Sequence, residues 1–393
     1  MPRAAAIPAA RSAALRRRLL AWYDANRRPL PWREPRSGPG APGRIDPYRV
    51  WLVEAMAQQT QVARVIPYYQ RFLARFPTLE ALAAAPEEAV LALWAGLGYY
   101  ARARALRRAA VEALARHGGL PADPEALRAL PGIGPYTAGA VASIAFGRRV
   151  AAVDGNAMRV LSRLFLVEGR PEAPATRARL QALAEALVPA DRPGDWNQAV
   201  MELGATRCVK PVPACSGCPL ADGCEAHRAG REREIPPARR RPPKVEARLH
   251  CALVVRRGRV LLVRRPPDGL FGGLWALPSV EPAVEAGPAG ARRALRAELV
   301  RLLGPGITVG AELGAVRRTL THRELELVAY RADGAERPAR RAGAAAGAGA
   351  GPTVEQRWAR RPELRQMGVA AAFQALLAQA WPPPSPVDER EAR

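Results

Sequence analysis

The sequence predicts an all-α first half joined to a smaller α+β domain. Three observations carry this reading. From Ser12 to about Leu187 apolar residues recur at three- and four-residue spacing, the period of an amphipathic helix. Beyond Leu249 the period changes to that of strands. Between the two lies Arg228–Arg248, rich in Arg and Pro and read as an extended, semi-rigid linker. The boundaries that follow are 12–227 for the helical domain, 228–248 for the linker and 249–380 for the second domain, which 393 residues can supply with two cores.

The elements can be justified in order. Met1 to Leu20 is Arg-rich and acid-poor, like a transit peptide, but its apolar spacing continues through Leu19, Leu20 and Trp22, so it reads as a short tail entering the first helix. Asp46-Pro47 has the form of an N-cap followed by proline at the first helical position, and Phe76-Pro77-Thr78 starts another segment. Further helices are expected over Leu79–Ala85, Glu87–Gly96, Ala101–His117, Pro124–Leu130, Tyr136–Phe146, Asn156–Leu166 and Ala175–Leu187. In the second domain, Leu249–Val255 and Arg259–Val263 read as strands joined at Arg257-Gly258, Leu325–Tyr330 as another strand, and Ala291–Leu303 as a helix. The Ala/Gly stretch Ala342–Gly351 is expected to be disordered.

Composition narrows the function classes. A hydrophobic fraction of 49% excludes wholesale disorder, and no apolar run reaches the ~18–20 residues of a membrane helix. The net charge is +24, and Lys210 and Lys244 are the only lysines, so nearly all the positive charge is arginine. Such basicity points to a polyanionic partner through counterion release, although a GC-rich genome would raise the arginine count by itself.

Four stretches carry chemistry. Leu130-Pro131-Gly132-Ile133-Gly134-Pro135-Tyr136 lies between two helices, where glycines allow a tight hairpin whose amides, with the helix dipole, can hold a phosphate; an ordinary helix–helix turn would look similar. Asp154 stands before the helix that begins near Asn156, where it can cap and where the helix N-terminus favours an ionised carboxylate able to stabilise a developing sugar cation. Glu54, with Val50, Trp51, Ala57 and Gln58 at helical spacing, sits on a largely apolar face, so its pKa should be raised as a general acid requires. One carboxyl kept protonated and one kept ionised is the pairing used in glycosyl transfer. Finally, Cys208-x6-Cys215-x2-Cys218-x5-Cys224 can wrap one tetrahedral ion or one iron–sulfur cube, while Cys251 reads as a core thiol.

Together, the hairpin with Gly132 and Gly134, the downstream Asp154 and the cysteine spacing resemble the endonuclease III superfamily of helix-hairpin-helix DNA glycosylases, whose members carry a [4Fe–4S] cluster on that spacing. Within it the chain is similar to the adenine DNA glycosylase family, on three features: Glu54 followed by Gln58-Gln59-Thr60, Tyr136 where bifunctional relatives carry a nucleophilic lysine, and a C-terminal Nudix-like domain beginning at Gly272-Gly273-Leu274-Trp275-Ala276-Leu277-Pro278. The resemblance covers about Leu15 to Tyr330.

The resemblance implies a monofunctional enzyme that flips out adenine opposite 8-oxoguanine or guanine and hydrolyses its N-glycosidic bond, leaving an abasic site. Glu54 would protonate N7 of the adenine and handle the water; Asp154 would stabilise the sugar cation; Tyr136 and Asn156 would orient them. Gln58, Gln59 and Thr60 would probe the DNA gap, Gly132 and Gly134 would hold phosphate, and Arg207 and Lys210 would touch the backbone. Cys208, Cys215, Cys218 and Cys224 would ligate the cluster. Thr321 and His322, in Leu320-Thr321-His322, stand where the family reads 8-oxoguanine; the family's aromatic is replaced by Leu320. The acidic Mg²⁺ cluster of working Nudix hydrolases is reduced to Glu298. Expected with this are a monomer on double-stranded DNA, no membrane, and a bacterial cytoplasmic, nucleoid-associated location. The alternatives are a bifunctional glycosylase/lyase for oxidised pyrimidines, poorly supplied with lysine, a non-catalytic DNA-binding or redox-sensing iron–sulfur protein, and a Nudix nucleotide hydrolase.

Overall fold

A computed structural model describes residues 7–33, 45–238, 243–282, 287–334 and 354–381. The chain divides into two compact units: residues 1–85 with 102–240, and residues 86–101 with 241–393. The expectation for Ala342–Gly351 lies outside the described residues.

The first half is helical, as its apolar period predicts: α1 Ala9–Asn26, α2 Pro47–Ala57, α3 Val62–Arg75, α4 Leu79–Ala84, α5 Glu87–Trp94, α6 Ala101–His117, α7 Pro124–Arg128, α8 Pro135–Ile144, α9 Gly155–Leu164, α10 Pro174–Leu187, α11 Pro193–Thr206 and the single turn α12 Glu225–Arg228. Side-chain caps set several starts, because the first turn of a helix leaves its N–H groups unpaired. Asp46 accepts from the Tyr48 N–H at 2.8 Å, Thr78 from Ala81 at 3.2 Å and Asp123 from Ala126 at 2.8 Å. Helix α11 was not anticipated, since the reading stopped at Leu187. It is central all the same: Trp196, Ala199, Val200 and Leu203 pack with Leu15, Leu19, Leu161, Leu164 and Leu180 in one buried cluster. At Gly204 a Cβ would stand 2.6 Å from the Asn156 Cβ, so the missing side chain lets α11 close onto α9.

The second unit is built on a mixed sheet: β1 Val245–Arg256, β2 Arg259–Arg264, β3 Trp275–Ala276, β4 Ser279–Val280, β5 Thr308–Thr319, β6 Arg323–Asp333 and β7 Gln356–Ala359, with α13 Gly287–Leu303 and α14 Ala371–Ala380. The order is β3-β2-β1-β6-β5, with β4 on β1 and β7 on β2. Strand β1 runs parallel to β6, in register from Val245 opposite Arg323 to Val254 opposite Ala332. The β1–β2 hairpin turns at Arg257 and Gly258, both at positive φ (46° and 67°), as a two-residue hairpin loop requires. Strand β5 escaped the sequence reading because Gly310 and Gly314 interrupt its alternation; its register against β6 shifts between Val309 and Glu312 and again before Gly314. The expected linker is shorter than read: β1 begins at Val245, and Ile235 is buried in the first unit, its carbonyl accepting from Arg163 Nε at 2.8 Å.

Candidate active site and cysteine centre

Four elements of the first unit meet around a cavity of about 470 Å³. Helix α2 brings Glu54 and, just past its end, Gln58, Gln59 and Thr60; α8 brings Tyr136; the start of α9 brings Asp154 and Asn156; α11 brings Gln198, Met201 and Glu202. Arg102 Nη1 fixes the end of α2 by donating to the carbonyls of Ala55, Met56 and Gln58 at 2.9, 3.2 and 2.6 Å. That bracket supports the turn in which Gln59 takes φ 57° and stands exposed.

Glu54 is only partly accessible, and its access opens into this cavity. The Tyr136 hydroxyl donates to its Oε2 at 2.5 Å, and lies 3.2 Å from Met201 Sδ. Burial pushes the Glu54 carboxyl up to about 7; the Tyr136 hydrogen bond opposes that shift and the charge of Asp154 adds to it. The raised pKa expected from its apolar helix face follows in the fold from that burial. Asp154 caps α9 as read: Oδ1 accepts from the Ala157 N–H at 2.7 Å and Oδ2 from Asn156 Nδ2 at 2.9 Å. The helix start does not by itself hold this carboxyl low, however. Burial raises its pKa, with the Ala157 and Asn156 hydrogen bonds and Arg159 pulling the other way. Arg159 donates onward to Asn156 Oδ1 at 2.9 Å, Gly204 O at 2.7 Å and Cys208 O at 2.7 Å.

One wall was missed by the sequence reading. Glu202, its side chain 1% exposed, accepts from Arg28 Nε at 2.6 Å and Arg33 Nη2 at 2.9 Å. Burial would raise its carboxyl, but the hydrogen bonds and charges of those two arginines outweigh it and hold the pKa low. Beside them Trp32 lines the cavity and meets Tyr69 edge-on at 5.4 Å. The signal available was the apolar spacing of Trp196, Ala199, Val200 and Leu203, which marks α11 and hence the neighbouring positions 198, 201 and 202. No sequence signal pairs Glu202 with Arg28 across 174 positions.

The hairpin at Pro131–Gly134 is formed, with Gly132 at φ 75° and both glycines exposed. Lys210 is exposed, whereas Arg207 lies in the wall of the cysteine pocket beside Gly217. Neither Lys210 nor Lys244 lines the cavity; Lys244 pairs with Glu324 in the second unit at 2.6 Å. In that second unit Thr321 and His322 sit exposed in the turn between β5 and β6, and the Thr321 hydroxyl hydrogen-bonds the hydroxyl of Tyr99. Glu298 pairs with Arg301 one turn along α13, at 2.7 Å.

The four cysteines Cys208, Cys215, Cys218 and Cys224 line one small pocket with Arg163, Arg207 and His227. Burial raises the thiols of Cys215, Cys218 and Cys224, Cys218 to about 11, and each also feels its neighbours' charge. Deprotonated together, they need a cationic group among them. Arg163, 2% exposed, donates to Cys208 Sγ at 3.2 Å. Sulfurs around one zinc ion would stand about 3.8 Å apart, given a ~2.3 Å bond. Among the described residues, the ligand-type atoms found mutually within 4.8 Å are those of Cys215, His227 and Glu232, not three cysteines. The four thiols share one pocket, as either a single ion or a cluster held by all four requires.

Residues 52–186 match the family model of the HhH-GPD superfamily base excision DNA repair proteins, and residues 250–379 match that of the NUDIX domain. The human adenine DNA glycosylase is 39% identical over 371 residues, covering 81% of this chain and 66% of that protein, and the mouse enzyme is 38% identical over 363 residues, covering 81% and 70%.

This chain belongs to the adenine DNA glycosylase family.

A solved thermostable thymine-DNA glycosylase aligns with 56% of the chain and 98% of its own length at 27% identity, with a TM-score of 0.49. As a member of the adenine DNA glycosylases the chain is an enzyme of the base-excision class, a hydrolase of N-glycosyl bonds. No described helix is long and apolar enough to cross a membrane.

Proposed function

We propose that the chain excises adenine paired with 8-oxoguanine or guanine, hydrolysing the N-glycosidic bond and leaving an abasic site. The observation that carries this is a buried carboxyl with pKa about 7, Glu54, sharing one cavity with a second, capped carboxylate, Asp154. The adenine must first leave the stack, because the scissile bond is inaccessible inside a duplex. Glu54, protonated, gives its proton to N7 of the base; the C1′–N9 bond then breaks with its electron pair passing to the adenine, which departs neutral. Ionised Asp154 faces the resulting sugar cation, and a water adds at C1′ while losing its proton to the Glu54 carboxylate. Tyr136 holds Glu54 and Asn156 holds Asp154 through the hydrogen bonds given above.

The Arg28–Glu202–Arg33 set offers the flipped base fixed donors and acceptors at the cavity wall. With no lysine lining the cavity, a Schiff-base step has no amine, so the reaction stops at the abasic site. Exposed Gln59, with Gln58 and Thr60, would meet the gap left in the DNA, Gly132 and Gly134 a phosphate, and Lys210 the backbone. In the second unit, Thr321 and His322 would meet the base opposite the adenine. Cys208, Cys215, Cys218 and Cys224 would hold a [4Fe–4S] cluster, which when bound cross-links the loop Cys208–Cys224 and supplies a redox centre. The DNA substrate sets the cellular location. The test compares duplexes carrying A·8-oxoguanine, A·G, A·C and T·G, with and without alkali. Alkali-dependent cleavage at adenine alone supports the reading, and no adenine release from protein with its iron retained would end it.

A further inference from the structure

The segment after the last cysteine of the loop folds back on it. Helix α12 is a single turn ended by Gly230 at φ 65°, where the Gly230 N–H donates to the His227 carbonyl at 3.0 Å and the Arg231 N–H to the Ala226 carbonyl at 2.8 Å. That pair of bonds is the left-handed glycine stop that reverses a chain at a helix end. It leaves His227 on α12 and lays Glu232 back beside it. Arg231 holds the reversal from outside, paired with Glu168 at 2.6 Å and Glu234 at 2.9 Å, and Ile235, 2% exposed, anchors the exit.

Three different donor atoms meet there. Cys215 Sγ, at the head of the short turn Cys215–Gly217, a ring nitrogen of His227 and a carboxylate oxygen of Glu232 all lie within 4.8 Å of one another. Glu232 Oε2 is buried and accepts no hydrogen bond from any described residue, and His227 Nδ1 stands 4.0 Å from it, beyond hydrogen-bonding reach. A buried carboxylate oxygen without a donor carries a desolvation cost that a bound cation would offset. Donors around one ion with ~2.0–2.3 Å bonds stand about 3.3–3.8 Å apart, a difference that small side-chain rotations close. One thiolate, one imidazole and one carboxylate suit a divalent ion of the zinc class, whereas magnesium and calcium take oxygen donors. His227 is exposed, which leaves a fourth position open to water.

We propose that Cys215, His227 and Glu232 form a mononuclear site for a zinc-class divalent ion in the cluster-free chain, with water as the fourth ligand. Binding forms a sulfur–metal bond in place of the Cys215 S–H bond, and the proton passes to solvent. The site shares Cys215 with the four-thiol pocket, so an ion held here and a cluster ligated by all four cysteines exclude each other. That exclusion rests on the cluster reading above, while the site itself rests on its three donors. Neither His227 nor Glu232 lines the catalytic cavity, so the site bears on the loading of the cysteine loop and not on the adenine chemistry.

The test titrates Co²⁺, a spectroscopic stand-in for Zn²⁺, into the full chain freed of iron. One ion per chain should bind, with the visible d–d absorption of a four-coordinate site and a single-thiolate charge-transfer band in the near ultraviolet. His227→Ala and Glu232→Ala should each weaken binding by at least about tenfold, since even losing an outer-shell partner of a metal ligand costs that much. His227→Cys supplies a second thiolate and should keep the ion with a stronger charge-transfer band, which separates a lost donor from a disturbed fold. No band in the unaltered chain, or unchanged affinity in both alanine variants, overturns the proposal. So does loss of the band in Cys208→Ser with His227→Ala unaffected, which would place the ion among the four thiols. Zn²⁺ added before iron and sulfide should lower the iron taken up by the unaltered chain and leave uptake by His227→Ala high; an equal block in both, or none in either, overturns the exclusion. If the unaltered chain takes up no iron even without zinc, the cluster reading falls instead, and the cobalt titration still decides the site.

Discussion

Replacing Tyr136 by Phe keeps the ring and removes one hydroxyl, the donor 2.5 Å from Glu54 Oε2. That hydrogen bond favours the carboxylate, so it lowers the Glu54 pKa against the burial that raises it to about 7. A hydrogen bond to a charged group contributes about 1.5–3 kcal/mol, and 1.36 kcal/mol corresponds to one pKa unit, so its loss should raise the Glu54 pKa by about one to two units. The acid works when protonated, and activity is lost as pH rises through its folded-state pKa. The alkaline limb of adenine release should therefore move from near pH 7 in the unaltered enzyme to about 8–9 in Tyr136→Phe. The assay is single-turnover release across pH 5–9.5, read for the position of the limb rather than its height, since looser orientation of Glu54 lowers the plateau too. A limb that stays near 7, or moves down, refutes the reasoning, because the hydroxyl would then not be holding the Glu54 charge.

Three further outcomes follow. Glu54→Gln and Asp154→Asn should each slow adenine release by roughly 10²–10⁴-fold with duplex affinity retained in gel shifts, and lost affinity would make both residues structural. Cys208→Ser should lower bound iron below the about four atoms per chain of a full cluster, read by metal analysis; unchanged iron would remove Cys208 from the ligand set. Gly132→Ala places a Cβ 2.6 Å from the Ala105 Cβ at φ 75°. It should cost about 1–3 kcal/mol in thermal unfolding and weaken duplex binding, and a variant with unaltered unfolding would show that the hairpin relaxes freely.

Much of the site is written in short stretches of chain. Asp154 is legible because a cap is a local device, and Gly132 because a hairpin needs a left-handed residue at one position. Glu54 is legible from the apolar neighbours on its own helical face. Arg207 shows the limit of such reading: basic and beside Cys208, it suits a phosphate contact in sequence, but the folded loop turns it into the cysteine pocket.

Period, capping and ligand spacing are properties of segments a few residues long, so the class of fold is legible in them, and they bring Glu54, Asp154, the hairpin and the four thiols forward as candidates. Tertiary structure decided what those groups are chemically. The raised pKa of Glu54 comes from its burial, and the cavity wall from Arg28 and Arg33 meeting Glu202 across most of the helical unit. It also decided that Pro86–Ala101 joins the second unit, because a buried indole on β3 and an arginine on β7 find their acceptor on α5, nearly two hundred or more positions away in the chain. Such pairings depend on how the chain folds back on itself, and no local pattern encodes them.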